Sequence, residues 1–140
     1  MILDDLVDYL SSGGIGTPGT TMFRGFLPDS PDEALALYET GGQAPVHAMT
    51  PGPTVGGAGV AVIEQPRVQV VCRAPSYDYD TARATAHSVF KLLDGMPART
   101  INTTEYLWAA AVQSPFLMGR DQAGRVLIAT NYDVAKRVSA

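Results

Sequence analysis

A 27-residue stretch, 40–66, divides this sequence: it holds six glycines and four prolines, and Glu64 is its only Asp, Glu, Lys or Arg. Structureless loops longer than about 15 residues are uncommon inside a compact domain and usually signal function or disorder. This stretch lacks the charge of a solvated disordered tail. Val55, Val60, Val62 and Ile63 also give it apolar surface to bury. Two readings stand: an arm that orders against a neighbouring subunit, or a hairpin tip of no consequence. The whole chain, 1–140, reads as a single domain around that loop, because its length suffices to bury roughly 70% of the unfolded surface without staples.

The segments on either side carry clear periodicities. Leu3, Leu6, Val7 and Leu10 take the i, i+3, i+4, i+7 spacing of an opening helix. Asp4, Asp5 and Asp8 suit its positive N-terminal end, and Ser11-Ser12-Gly13-Gly14 stops it. Strands are expected over Thr20–Phe26 and Ala34–Glu39, with Pro28-Asp29-Ser30-Pro31 breaking the chain between them. From Arg67 to Arg73 the sequence alternates, with Val68, Val70 and Cys72 on the inward face. Ala82, Ala86, Val89, Phe90 and Leu93 then form a helical stripe, capped by Ser76 or Asp78 and stopped by Gly95. Strands near Arg99–Ile101, Glu105–Gln113 and Arg125–Lys136 complete the pattern. The turn Asp121-Gln122-Ala123-Gly124 makes the last two a hairpin. The order α-β-β-long loop-β-α-β-β-β predicts an α+β fold. Its sheet, of about five to six strands, is mostly antiparallel or mixed, and two helices pack on one face.

Charge narrows the function. The chain carries −4 at neutral pH, unsuited to a protein that works by gripping phosphate backbones. Residues 1–70 carry eight acids against Arg24 and Arg67, a net −6, while residues 71–140 carry eight bases against six acids, a net +2. Such polarity would let one copy attract the opposite end of another, if the halves occupy different surfaces; the alternative is a chance clustering on a solvated face. No apolar run reaches the length of a membrane span. Met1–Leu10 holds three aspartates and no base, unlike the start of a signal peptide. Synthesis in a reducing cytoplasm is therefore expected.

A search for reactive constellations returns almost nothing. One cysteine, Cys72, excludes an internal disulfide, and it reads as a small apolar core residue. His47 and His87 lie far apart, with no nucleophile or carboxylate placed to work with either. Gly13-Gly14-Ile15-Gly16 and Gly56-Gly57-Ala58-Gly59 do not sit between a strand and a helix, where a phosphate-cradling loop belongs. Tyr77-Asp78-Tyr79-Asp80 offers too few oxygens for a cation cage, and reads as a helix cap with its tyrosines against the sheet end. No catalytic residue, cofactor or metal is expected. Ser114-Pro115-Phe116-Leu117-Met118-Gly119 places three bulky apolar residues in a loop: exposed together they form the kind of patch that marks a partner surface, and folded back they cap the core. Val55, Val60, Val62, Phe116, Leu117, Met118 and Arg120 are thus the candidate interface residues.

Several runs, in order and spanning nearly the whole chain, resemble a known family. They are Gly25-Phe26-Leu27-Pro28-Asp29-Ser30-Pro31, Tyr38-Glu39-Thr40-Gly41-Gly42 and Pro66 through Arg73. Tyr77 through Arg83, Leu93-Asp94-Gly95, Gln113 through Phe116, Gly119-Arg120-Asp121, Gly124-Arg125 and Asn131 through Val134 follow. Together they resemble the tail terminator proteins of tailed phages, often described as phage minor capsid proteins. The 40–66 loop departs from that pattern in its length and glycine content.

The resemblance implies a structural virion protein of the tail or neck, made and assembled in the cytoplasm of the bacterial host. It implies a homo-hexameric ring on the tail tube protein, which ends tube polymerisation and offers the surface for head-tail joining with connector or neck proteins. DNA would pass through such a ring without sequence-specific binding, no membrane is involved, and no catalytic residue carries over. Two alternatives remain open: a head-completion (connector) protein on the portal side, and a small α+β ligand-binding domain or enzyme.

Overall fold

The computed structural model describes residues 2–48 and 60–137, with backbone only at 47, 48 and 60–62. In chain order the elements are α1 (Ile2–Ser12), β1 (Met22–Arg24), β2 (Ala34–Ala48), β3 (Val60–Ala74) and α2 (Tyr79–Leu93). They are followed by β4 (Arg99–Ile101), β5 (Thr104–Ala111), β6 (Phe116–Arg120) and β7 (Val126–Arg137). All seven strands form one sheet, ordered β1-β2-β3-β7-β5-β4, with β6 paired to β7 beside β5. Only β1 and β2 run parallel, so the sheet is mixed. The fold is the expected α+β one, with one strand more than the sequence announces.

Each expected helix ends where its sequence stops it. In α1 the Ile15 amide reaches the Leu10 carbonyl (3.1 Å) and the Gly14 amide reaches Ser11 (3.0 Å). Gly14 sits at φ 82 with open space around a would-be Cβ. This double bond satisfies carbonyls that the helix end would otherwise orphan, and it needs a left-handed residue at Gly14. In α2 Asp78 caps the start, accepting from the Thr81 amide at 3.3 Å. Tyr77 and Tyr79 do not pack on the sheet end as expected; they are 89% and 42% exposed.

The apolar faces meet in one core. Leu6 and Leu10 of α1, Ala86, Val89 and Leu93 of α2, and Leu37, Val68, Val70, Ile128, Tyr132 and Val134 of the sheet are all buried together. Both helices therefore cover the same face. The alternation read in Arg67–Arg73 holds for Val68, Val70 and Cys72, but Val71 and Arg73 on the opposite face are buried too.

The sheet curls so far that α1 touches β1 and β2 at one end and β4 at the other. Asp4 pairs with Arg24 of β1. Asn102, in the β4–β5 turn, donates to Asp5 at 3.2 Å and Asp8 at 2.6 Å. Asp5 is 2% exposed and accepts the Tyr106 hydroxyl at 2.5 Å. Burial, then the hydrogen bond and charge of Asp5, raise the Tyr106 phenol well above its ordinary value, so it stays a donor. The turn that aims Asn102 is a two-residue hairpin with Asn102 at φ 46 and Thr103 at φ 71.

Two expected loops are strands. Residues 40–48 and 60–66 extend β2 and β3 into a ribbon with register shifts from Thr40 to His47. At Gly42 any Cβ would collide with the Gln65 carbonyl and the Pro66 backbone, which explains the glycine there. Phe116–Arg120, mostly inside the second expected loop, forms β6, so the Asp121–Gly124 turn joins β6 to β7 rather than β5 to β7.

Replacing Gly14 with alanine should cost about 1 kcal/mol in urea unfolding, with the transition slope unchanged. Asp5→Ala strands the Tyr106 hydroxyl and should cost about 2–3 kcal/mol.

Candidate functional site

The length of β7 creates β6. Its 12 residues outrun the eight of β5, which pairs only from Tyr132 to Lys136. After a break at Ser114-Pro115, β6 takes up the same edge of β7 opposite Val126–Ala129. The Arg83 side chain holds the break by donating to the Pro115 carbonyl at 2.6 Å, and the Val112 amide donates to Asn131 at 2.8 Å. A register shift follows between Leu117 and Gly119, where Gly119 sits at φ 140. A glycine bulge accommodates that extra residue.

Register also decides what this composite strand displays. Directly opposed residues share a face. Trp108 faces Ala135, Ala110 faces Asp133 and Phe116 faces Ala129, all on the side away from the helices. A bulge between Tyr106 and Trp108 lets Tyr106 point in while Trp108 points out. Trp108, Val112, Phe116 and Met118 are exposed by 42%, 46%, 37% and 50%, and form an apolar stripe along one edge of the helix-free face. Leu117 opposes the core residue Ile128, so it lies on the helix side, still 55% exposed. Among the described residues no strand pairs with the outer edge of β6.

The same face holds a groove of about 800 Å³, floored by Tyr38, Gln69, Val71 and Leu127 and walled by Met118 and Arg125. Two arginines close its far end. Arg73 donates to the carbonyls of Asp32 (3.1 Å) and Pro31 (2.5 Å). Arg125 reaches Asp121 at 2.7 Å, Asp29 at 2.9 Å and Asp32 at 3.3 Å. Asp121 in turn accepts the amides of Ala123 (3.0 Å) and Arg125 (2.9 Å). Burial raises the Asp121 pKa, but these hydrogen bonds and the Arg125 charge outweigh it, and the carboxyl sits below its ordinary 3.8. Burial and the neighbouring Arg125 lower the pKa of Arg73, opposed by Asp121, Asp29 and Asp32. The loop before β2 is thereby latched to the β6–β7 turn.

Of the candidate interface residues, Phe116, Leu117, Met118 and Arg120 come together on β6. Val55 lies outside the described residues, as do the side chains of Val60 and Val62 on β3. The two groups are apart: β6 pairs near Ala129, whereas Ile63, next to Val62, pairs with Arg137. Eight residues of strand separate those levels, about 27 Å at ~3.4 Å per residue. Trp108 and Val112 join the exposed apolar stripe although their sequence did not single them out; alternation with Ala110 was the available signal.

Ion pairs run between the two halves of the sequence. Arg67 meets Asp133 (2.7 Å), Lys136 meets Glu64 (3.8 Å), and Arg125 takes Asp29 and Asp32. Each of these pairs joins the acidic half to the basic half, so the halves are not two independent poles. Cys72 is buried, its thiol pushed up to about 12 by burial, which leaves it unreactive. His87 is exposed and stacks on Phe90, centroids 6.2 Å apart; the His47 side chain lies outside the described residues. Among the described residues no three His, Cys, Asp or Glu gather as metal ligands, and no helix is long and apolar enough to cross a membrane.

A family model described as bacteriophage tail terminator protein matches residues 9–137. The chain belongs to that family, and it is a structural tail protein of the virion. Its fold is also that of a chain in the solved virion of a native gene transfer agent (GTA) particle. The two are 12% identical with a TM-score of 0.66, over 98% of this chain and 95% of that one. A second solved structure is 18% identical with a TM-score of 0.53, over 95% of this chain and 92% of its own. No curated protein matches the sequence.

Removing the latch should free the loop without unfolding the domain. Arg125→Ala is expected to raise amide exchange at residues 29–33 by about tenfold or more, with the β-sheet signal intact. The pH dependence has a definite sign: the Asp121 contribution is full above its ordinary pKa and fades as pH falls through the lowered one. Protection of the loop should therefore fall in acid, below about pH 4, and not at pH 6–8.

Proposed function

We propose that this chain assembles as a closed ring of six copies on the end of the tail tube, halts tube polymerisation there, and presents the surface on which the head's connector or neck proteins dock. The apolar stripe of Trp108, Val112, Phe116 and Met118 carries this reading. A domain with a well-sealed core leaves four large side chains in a row only where a partner covers them. Ring closure needs a head-to-tail contact, and a single sheet with unlike edges supplies one.

The net charge of −4 supports DNA passing through the ring, since excess positive charge on a channel wall would hold phosphates. Residues 40–66, with Val55, Val60 and Val62, serve as an arm toward the neighbouring subunit or the tube. Assembly takes place in the host cytoplasm.

With tube protein present, native mass spectrometry should find sixfold assemblies of this chain. Phage lacking it should make headless tails of uncontrolled length. Monomers only, together with normal tails in its absence, would end this reading.

A further inference from the structure

A second concavity, of about 570 Å³, lies between α1 and β1, lined by Val7, Pro18, Met22, Phe23 and Phe26 with Asp4, Asp8 and Arg24 at its rim. We propose that this hollow receives Leu117 from the β6 edge of the next copy. The inference rests on the ring reading and names the two surfaces that would close it.

Position comes first. β1 pairs with Leu35–Leu37, these with Val70–Cys72, and these in turn with Ile128–Thr130, beside which β6 lies. At that level the strand order is β1-β2-β3-β7-β6, so the hollow and Leu117 sit at opposite edges of one five-strand layer. A contact between them is heterologous, repeats from copy to copy, and can close. Both also lie on the helix-bearing side: Leu117 opposes Ile128, and the hollow is walled by α1. Neighbouring layers can thus meet edge to edge without turning over.

Shape and charge agree with position. Leu117 protrudes, 55% exposed, from an edge with no strand partner among the described residues. The hollow is concave, with buried Met22 and Val7 at its base and Phe26, 60% exposed, at its mouth. Two hollows cannot fill each other, and two β6 edges would leave both hollows empty, so like-with-like contacts are inferior. Beside Leu117, Arg120 uses only Nη1 on the Ser76 and Gly124 carbonyls. Its other guanidinium nitrogens face no acceptor among the described residues, while the rim of the hollow holds two carboxylates, Asp4 paired with Arg24 and Asp8 bonded by Asn102, a net −1 whose remaining lone pairs can accept. A bidentate cation next to an apolar knob suits an acid-rimmed apolar cup.

The test uses full-length chains assembled with tube protein. Phe26→Lys and Leu117→Glu should each weaken ring assembly by about tenfold or more, and the double variant should restore it, because the new charges pair. In parallel, a mixture of Phe26→Cys and Leu117→Cys chains treated with a short bis-maleimide should give covalent dimers that neither chain gives alone. Cys72, being buried, stays silent. Rings that form normally in both single-charge variants, or dimers from Leu117→Cys alone, would overturn this contact and leave the ring standing. Failure of the unmodified chain to form any ring would overturn both.

Discussion

The buried carboxylate of Asp5 is the fastening on which the architecture depends. A seven-stranded sheet that curls this far leaves a gap between β1 and β4, and α1 fills it. Hydrophobic contact alone would let a helix of 11 residues slide or rotate in that gap. One carboxylate bonded to both Tyr106 and Asn102 fixes its register against β5 and the β4–β5 turn at once. A buried carboxyl group is tolerable only when its hydrogen bonds are supplied, and here the Tyr106 hydroxyl and the Asn102 amide supply them. The left-handed Asn102 and Thr103 follow from the same need, since that tight turn is what aims the amide of Asn102 at α1.

At the other end of the strands the arginine latch plays the corresponding part. Runs far apart in the sequence, Asp29 to Pro31 and Asp121 to Arg125, meet at one ion cluster. Their meeting straps a loop across the outer face of the sheet. The strap leaves the helix-free face with a groove and an apolar margin rather than a smooth wall.

How much of this the sequence announced depended on range. The period-2 alternation of Val126, Ile128, Thr130, Tyr132 and Val134 and the stripe of Ala82, Ala86, Val89 and Leu93 are local signals, and both elements stand where expected. β6 was hidden because Pro115 and Gly119 are loop residues by propensity. Only the unfilled start of β7 makes a strand of the residues between them. The β2–β3 ribbon was hidden for the same reason. Its glycines and prolines oppose strand formation locally, and cross-strand pairing with bulges overrides them. Asp5 passed for one more acid at the positive end of a helix. Its place at the flank of the apolar stripe, three residues after Ile2, was the one local hint of burial. Its partner Tyr106 is 101 residues away, beyond any pattern a linear reading resolves.

The candidate interface obeys a constraint of its own. An apolar strand at a sheet edge is a template for uncontrolled pairing, and proteins blunt such edges with charge, brevity or bulges. β1 and β4 are three residues each and carry Arg24 and Arg99. β6 lacks a charge until its last residue, Arg120, but it is five residues long, begins after a proline and is broken by the Gly119 bulge. Those interruptions leave too little continuous ladder for a fibre-like stack, while the side chains of Phe116, Leu117 and Met118 stay available. An edge built this way favours a partner that reads side-chain shape over one that merely offers a backbone. The ring proposed for this chain, in which copies join in one closed arrangement, would need that discrimination.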